Sequence, residues 1–296
     1  MKSLLGLIMN NKDENGELKA GFSLPREVKD GEPRFADGAM DGITLYHTRI
    51  TPLSDEERDK LLGILRNPTE SGFAAFCKDH RAVTVIDEIQ NTIMAHKEEM
   101  SPDALFRFSV DLILQSMNIE CVKVGLIILE LLKVYDNDVV VEAIKNLGLS
   151  DEFTIFAVFL MKHWPDGDRE ILELAKKVHG WGRIHCVFYI DPVDEEIRKW
   201  ILINGVDNEV LPEYSAYDSY VKADIENLLL RDDLSMEEMS GILKITDAML
   251  NEGPVSGISR LESPKEYLDK VVEKSNAFKL SDEDKERVER IRQSDV

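Results

Sequence analysis

The sequence predicts an all-α fold, a short stack of helix pairs preceded by a small β-containing segment. From about residue 104 the chain repeats one pattern, a helix, a tight polar turn, a second helix and a glycine, with a period of roughly 25 to 32 residues. Residues 124–132 and 153–161 are almost entirely apolar, which is typical of helices buried between neighbours. Strand-like patterns occur only within the first fifty residues.

Residues 1–52 are expected to form a β-containing appendage. Residues 4–9 and 18–24 flank Asn15 and Gly16, and an Asn-Gly pair suits the type I′ turn of a hairpin. Turn-forming residues follow at 30–33, 37–38 and 41–42, and residues 43–47 are expected to return as another short strand. Fifty residues bury little apolar surface alone, so we expect an appendage rather than a domain.

Helical signals begin at residue 53. Ser54 precedes Glu57 by three residues, the spacing of a capping box, and Ser235 precedes Glu238 in the same way. Pro102 suits the first turn of another helix. We therefore expect residues 53–206 to form a helical-repeat region. Residues 207–296 are expected to form an acidic helical region that packs on the repeats and caps them.

The repeat region is interpreted as paired helices, and the second member of each pair ends at a glycine. The expected helices span residues 105–117, 120–135, 139–147, 151–164, 168–178, 183–190 and 195–203. Over residues 104–206 this pattern resembles the HEAT and armadillo class of helical repeats. The resemblance implies an armadillo-type α-solenoid, whose concave face binds a protein or peptide. An irregular helical bundle is the alternative.

Composition disfavours several classes of function. The net charge is −21, and residues 207–296 carry 22 acids against 12 bases. Because phosphate binding needs clustered lysine and arginine, no nucleic-acid partner is expected. No apolar run approaches the roughly 18 residues that span a bilayer, and the first residues lack a secretory cleavage pattern. We expect a cytoplasmic protein without a membrane partner, and its three scattered cysteines favour reduced thiols.

Three predicted helices, residues 139–147, 168–178 and 195–203, are expected to line the concave face. Their basic side chains, with one just outside them, form a strip that suits an acidic peptide on an otherwise acidic molecule. The strip comprises Lys145, Lys176, Lys177, Arg183, Arg198 and Lys199. The first functional hypothesis is therefore a non-enzymatic scaffold that binds a protein or peptide partner.

A second candidate site is the string HGWGRIH at residues 179–185. His179, Trp181, Arg183 and His185 bring together groups that bind anions or transfer protons, so the second hypothesis is an enzyme with these residues lining a pocket. The alternative, which the pattern favours, is structural. Trp181 would then fill the gap between repeats, while the flanking glycines end one helix and permit a sharp turn.

The same string, together with the overall length, resembles a group of bacterial HEAT-like proteins, some of which carry the name limonene hydroxylase. That resemblance implies a monooxygenase that acts on a monoterpene. A haem enzyme of this kind needs a thiolate in a glycine-bearing loop, whereas the cysteines here lie in predicted helices. No nucleotide-binding fold for a flavin is expected either. Catalytic residues therefore stay unassigned and no cofactor is expected; a HEAT-like DNA-repair glycosylase is a further alternative that the charge disfavours.

Metal-binding motifs are absent from the sequence. None of the six histidines belongs to HExxH, and none follows a glutamate by three residues as a di-iron site requires. Neither a P-loop nor a GxSxG motif occurs. No metal site is expected.

Overall fold

Helices account for nearly all regular structure in this chain. The computed structural model describes residues 2–26 and 35–294, and within them it contains seventeen α-helices, three short 3₁₀ turns and one isolated antiparallel bridge, between Lys12 and Leu18. The predicted all-α class is confirmed. No helix in these two ranges combines the length and the apolar character needed to cross a membrane.

The chain divides into two compact units, Met1–Val178 and His179–Val296. The predicted boundaries after residues 52 and 206 are a different division, based on composition, and stay predictions. The helices of the first unit are α1 (Leu4–Asn10), α2 (Ala39–His47), α3 (Asp55–Arg66), α4 (Glu70–Phe76), α5 (Ile86–Ala95), α6 (Pro102–Gln115), α7 (Ile119–Glu130), α8 (Asp138–Gly148), α9 (Thr154–Met161) and α10 (Gly167–Ala175). Those of the second unit are α11 (Trp181–Tyr189), α12 (Glu195–Asn204), α13 (Glu213–Lys222), α14 (Ile225–Leu229), α15 (Met236–Met249), α16 (Pro264–Ser275) and α17 (Asp282–Gln293).

Helix α7 is the centre of the first unit. Residues 121–129 are all buried, and the helix packs against α4, α5, α6 and α9. Gly125 permits the close approach of α6, because a Cβ at this position would lie only 3.0 Å from the carbonyl oxygen of Ser109. The apolar sequences of α7 and α9 therefore match the burial expected of them.

Helix α15 is the centre of the second unit, where it packs against α12, α13, α16 and α17. Its N-terminus is closed by the predicted capping box between Ser235 and Glu238, and the box at Ser54 and Glu57 closes α3 in the first unit. Gly241 brings α15 against α12, since a Cβ there would lie 2.5 Å from the carbonyl oxygen of Leu202. This contact fixes the position of α12, which carries two of the predicted binding residues.

The predicted N-terminal hairpin is wrong. Residues 4–9 lie in α1, where the Ser3 hydroxyl accepts a hydrogen bond from the Gly6 amide at 3.1 Å. Helix α1 packs against α6 and α8, so its apolar side chains are covered by helices rather than by a second strand. The predicted strand at residues 43–47 is also wrong, because these residues belong to α2.

Of the predicted hairpin, only a tight turn at Asn15 and Gly16 is present. Gly16 has positive φ, +80°, beside the bridge between Lys12 and Leu18, but Asn15 does not, so the turn is not of the predicted type I′. Gly38 also has positive φ, +73°, at the predicted turn 37–38. The predicted turn at residues 30–33 lies outside the described residues.

The seven helices predicted between residues 104 and 206 are confirmed, with their ends shifted by a few residues. Gly148 ends α8 and Gly205 follows α12, as expected. Gly180 instead precedes α11, because α10 ends at Ala175. Regular stacking of these pairs as a solenoid stays a prediction.

Candidate functional site

The string at residues 179–185 lies at the start of α11, and most of its side chains are buried. Trp181 is 5% exposed, Arg183 is 8% exposed and His185 is 1% exposed. The Trp181 ring lies 4.9 Å from that of Tyr214, centre to centre. These side chains pack inside the second unit, and their predicted role in binding a ligand stays a prediction.

Arg183 is held by neighbours within its own unit. Its Nη1 donates to the carbonyl oxygen of Asp207 at 2.8 Å, and its Nη2 lies 3.3 Å from His179 Nδ1. Because a guanidinium has no acceptor, Arg183 is the donor in any hydrogen bond between the two side chains. The Arg183 guanidinium carbon also lies 5.8 Å from the centre of the Trp200 ring. Arg183 is therefore an interior residue of the second unit rather than part of an exposed strip.

Three of the predicted cations belong to the first unit. Lys145 Nζ lies 2.7 Å from Glu170 Oε1, and Lys176 Nζ lies 2.7 Å from Glu173 Oε1. Lys145 and Lys177 line a groove of about 310 Å³ that also contains Lys12. Three carboxylates, Glu142, Glu170 and Glu173, share the lining. The groove is therefore charge-balanced rather than basic.

Arg198 and Lys199 line a groove of about 420 Å³ in the second unit, which we name the Arg198 groove. Its lining comes from α12, from the α13–α14 junction and from the start of α15. The residues are Glu195, Arg198, Lys199, Leu202, Ala223, Asp224, Asn227, Leu228, Arg231 and Glu238. Leu202 and Ala223 are buried, so an apolar floor lies beneath a charged rim.

The cations of the Arg198 groove differ in how they are neutralised. Lys199 Nζ lies 3.2 Å from Glu237 Oε2. Arg231 is held by Asp233 at 2.9 Å and by Glu238 at 3.2 Å. Arg198 forms no ion pair with any residue in the described ranges. Among the cations of this groove, Arg198 is thus the one whose guanidinium has no carboxylate of residues 2–26 or 35–294 within 4 Å.

The junction between α13 and α14 shapes the opposite side of the groove. Asp224 has φ +56° and ψ +48°, a left-handed conformation that costs energy for most residues but less for aspartate. Both of its carboxylate oxygens accept from Asn227 Nδ2 at 2.9 Å. This local bond directs the Asp224 carboxylate to its own chain.

A buried ionic cluster in the first unit was missed at the sequence level. Lys123 Nζ lies 2.5 Å from Asp41 Oδ2, 3.1 Å from Glu120 Oε1 and 2.9 Å from Glu152 Oε2. Arg81 Nη2 adds a contact of 2.6 Å to Asp41 Oδ1. We call Asp41, Arg81, Glu120, Lys123 and Glu152 the Lys123 cluster. It joins α2 and the 3₁₀ turn at Ala82–Thr84 to α7 and α9.

The contacts of the cluster favour the charged forms of Asp41 and Lys123. Burial raises the pKa of Asp41, but Lys123 and Arg81 outweigh burial and leave this pKa below its ordinary value. Burial also lowers the pKa of Lys123, while Asp41, Glu120 and Glu152 outweigh that effect and raise it. The only sequence signal was a lysine within the apolar run of α7. We interpret the cluster as a structural contact that holds together elements distant in sequence.

Neither metal ligation nor thiol chemistry finds support in the described ranges. Within residues 2–26 and 35–294, no group of three or more histidine, cysteine or carboxylate side chains is arranged to hold a metal ion. Cys77, Cys121 and Cys186 form no disulfide. Burial, with nearby carboxylates, raises the pKa of Cys77 and that of Cys121 to about 12, which suppresses the reactive thiolate. The oxygenase and glycosylase alternatives stay predictions.

Comparison with models of protein families, with curated proteins and with solved structures gave no match.

Proposed function

We propose that this chain is a non-enzymatic, cytoplasmic scaffold whose helix pairs stack in the manner of HEAT-like repeats. Its partner is a protein that presents an acidic peptide segment, and the Arg198 groove receives that segment. The proposal rests on one observation: the Arg198 guanidinium lies beside an apolar floor and forms no ion pair with the described residues.

Arginine suits this role better than lysine. A planar guanidinium donates two parallel hydrogen bonds to one carboxylate, which adds geometric selectivity to charge attraction. The floor formed by Leu202 and Ala223 offers apolar contact to the residue next to the acidic one. A peptide with an aspartate or glutamate beside a small apolar residue therefore matches the groove.

The acids on the rim set the strength of binding. Glu238 pairs with Arg231, whereas Asp224 accepts from the neutral amide of Asn227 and keeps its charge, so the rim carries three carboxylates and three cations. Glu195 lies one helical turn before Arg198 and competes weakly for its charge across solvent. One strong anchor in a small groove implies a weak, transient complex.

Fluorescence anisotropy with a labelled twelve-residue peptide of alternating glutamate and alanine tests the proposal. We expect Arg198→Ala to weaken binding about tenfold, a loss of about 1.4 kcal/mol. Arg198→Lys should recover part of that loss, because a lysine keeps the charge without the planar pair of donors.

Arg292→Ala is the matched control. Arg292 is an exposed arginine on α17 whose Nη1 lies 2.6 Å from Glu289 Oε1. Its removal changes the net charge equally but leaves the Arg198 groove intact. Equal affinities for the Arg198→Ala and wild-type proteins, or equal losses in both variants, would contradict the proposal.

A further inference from the structure

A second groove in the second unit, next to α14, differs from the Arg198 groove in charge and in apolar content. Its volume is about 750 Å³, and we name it the Leu230 groove. Its lining residues include Leu229, Leu230, Leu261, Tyr267, Ala277 and Phe278 as the apolar set. The charged set is Glu226, Asp232, Glu262, Glu266, Lys270, Glu273 and Lys274.

Leu230 makes this groove unusual on a soluble surface. The residue follows α14 directly, and 75% of its side chain is exposed. Phe278 and Leu261 in the same lining are half-buried. Apolar side chains that converge on a concave surface are typical of a docking site for another chain, unlike scattered single leucines.

The charge around this apolar centre is strongly negative. Five carboxylates face two lysines, and both lysines already have partners on their own chain. Lys270 Nζ lies 2.8 Å from Glu266 Oε1, and Lys274 donates to the carbonyl oxygen of Arg231 and lies 3.8 Å from Asp232. Within the described ranges, Glu262 and Glu273 form no ion pair. Two carboxylates are therefore available to cations from outside.

The groove continues along α16, so its shape is elongated. Ser263, Glu266, Lys270 and Glu273 line both this groove and an adjoining depression of about 630 Å³. Helix α16 has twelve residues, which corresponds to a length of about 18 Å. A helical segment of three to four turns has a matching length.

We infer that the Leu230 groove binds a basic amphipathic helix of a partner protein. The apolar face of that helix covers Leu230 and Phe278, and its lysines or arginines meet Glu262 and Glu273. A second copy of this chain is disfavoured as occupant, because each copy carries a net charge of −21. An anionic membrane surface is disfavoured for the same electrostatic reason.

The test uses a labelled fourteen-residue helical peptide of leucine and lysine, with a comparison peptide in which glutamate replaces every lysine. We expect the lysine peptide to bind and the glutamate peptide to bind at least tenfold more weakly. Leu230→Ser removes the central apolar contact without adding charge, and it should weaken binding of the lysine peptide about tenfold. Leu230 is so exposed that this change should leave the fold intact, which circular dichroism checks.

Two matched double variants distinguish binding in the Leu230 groove from attraction by the net charge of the protein. Glu262→Lys with Glu273→Lys should weaken binding of the lysine peptide about tenfold. Asp59→Lys with Glu98→Lys changes the net charge equally at exposed sites in the first unit, and it should weaken binding less than twofold.

The inference would be overturned if the two double variants lost the same affinity for the lysine peptide, or if Leu230→Ser lost none. Either result would mean that the peptide binds only through general attraction between its positive charge and the negative protein. The inference stands apart from the proposed function, because Arg198→Ala should leave the affinity for the lysine peptide unchanged.

Discussion

Each of the two units buries a cation, and the two cations have different contacts. In the first unit, Lys123 is fully buried and touches three carboxylates. In the second, Arg183 is 8% exposed and meets a backbone carbonyl, an imidazole nitrogen and the face of Trp200. The difference follows from the two cations. An ammonium is a compact, strongly hydrated charge, whereas a guanidinium is planar, delocalised and less costly to remove from water.

The contacts of Lys123 and those of Arg183 join different parts of the chain. The Lys123 cluster connects α2 to α7 and α9, so it fixes an element near the chain start to the middle of the first unit. Arg183 connects the start of α11 to Asp207 and Trp200, which lie nearby in sequence. We therefore expect the first unit to depend on its buried cation more strongly than the second unit does on its own.

The largest effect is expected for Lys123→Met. Methionine approximates the length of the lysine stem but removes the cation that Asp41, Glu120 and Glu152 share, so that only Arg81 and Arg26 remain beside these carboxylates, at a cost of about 3–5 kcal/mol in the free energy of unfolding of the first unit. Urea unfolding followed by circular dichroism measures the change. Adding Asp41→Asn and Glu152→Gln removes the two buried carboxylates that faced Lys123 and should recover part of the loss. A triple variant no more stable than Lys123→Met would show that electrostatics is not the cause.

Arg183→Met should cost less, about 1–3 kcal/mol for the second unit. The variant leaves the carbonyl oxygen of Asp207 without this donor and removes the contact of the guanidinium with the Trp200 ring. The same urea experiment applies, with Arg292→Met as the control for an exposed arginine. A loss as large as that of Lys123→Met would contradict the comparison between the two interior cations.

The helices were predictable because their signals are local, whereas the partners of Lys123 were not. Ser54 and Glu57 are three residues apart, so the capping box can be read directly from the sequence. Asp41 lies 82 residues before Lys123, and only tertiary packing brings the two together. The run at residues 4–9 was ambiguous because a short apolar segment suits a strand or a helix, and α6 and α8 decide for the helix.

The candidate site was predictable in part for a similar reason. Helical periodicity places Arg198 and Lys199 on α12, but it does not reveal which surface the neighbouring helices leave open. The Arg198 groove depends on α14 and on the contact of Gly241 with α12. Both α14 and Gly241 lie outside the predicted repeat region, so the repeat pattern does not predict the groove. The string at residues 179–185 combined residue types common in binding sites, while burial of Trp181 and Arg183 depends on Tyr214 and Asp207 from other segments.

Stability of the first unit should depend on pH through the Lys123 cluster. The pKa of Asp41 is lowered below 3.8, so its contribution is present above pH 3.8 and is lost as the pH falls through the lowered value. The pKa of Lys123 is raised above 10.5, so its contribution is present below pH 10.5 and is lost as the pH rises through the raised value. Between these limits the contributions of Asp41 and Lys123 should stay constant.

Asp41→Asn tests the acid side of this profile. The variant should lose about 1–3 kcal/mol at pH 7, and the difference from wild type should shrink as the pH falls from 3.8 through the lowered pKa of the wild-type carboxyl. Thermal unfolding at a series of pH values measures the difference. A difference that is the same at pH 7 and below the lowered pKa would indicate a loss of packing rather than of charge pairing.

The cysteines allow the two units to be followed separately, and the expected effect here is kinetic. Cys77 and Cys121 lie in the first unit and Cys186 lies in the second. In the folded protein, thiol labelling at neutral pH should be slow, because Cys121 and Cys186 are buried and the pKa of Cys77 is raised to about 12 by burial and by Glu120. Pulse labelling with mass spectrometry identifies which thiols become reactive.

Lys123→Met should accelerate labelling of Cys77 and Cys121 at urea concentrations where Cys186 remains protected, whereas Arg183→Met should accelerate labelling of Cys186 first. If all three thiols react together in both variants, the two units unfold as one, and the separate roles assigned to Lys123 and Arg183 cannot hold.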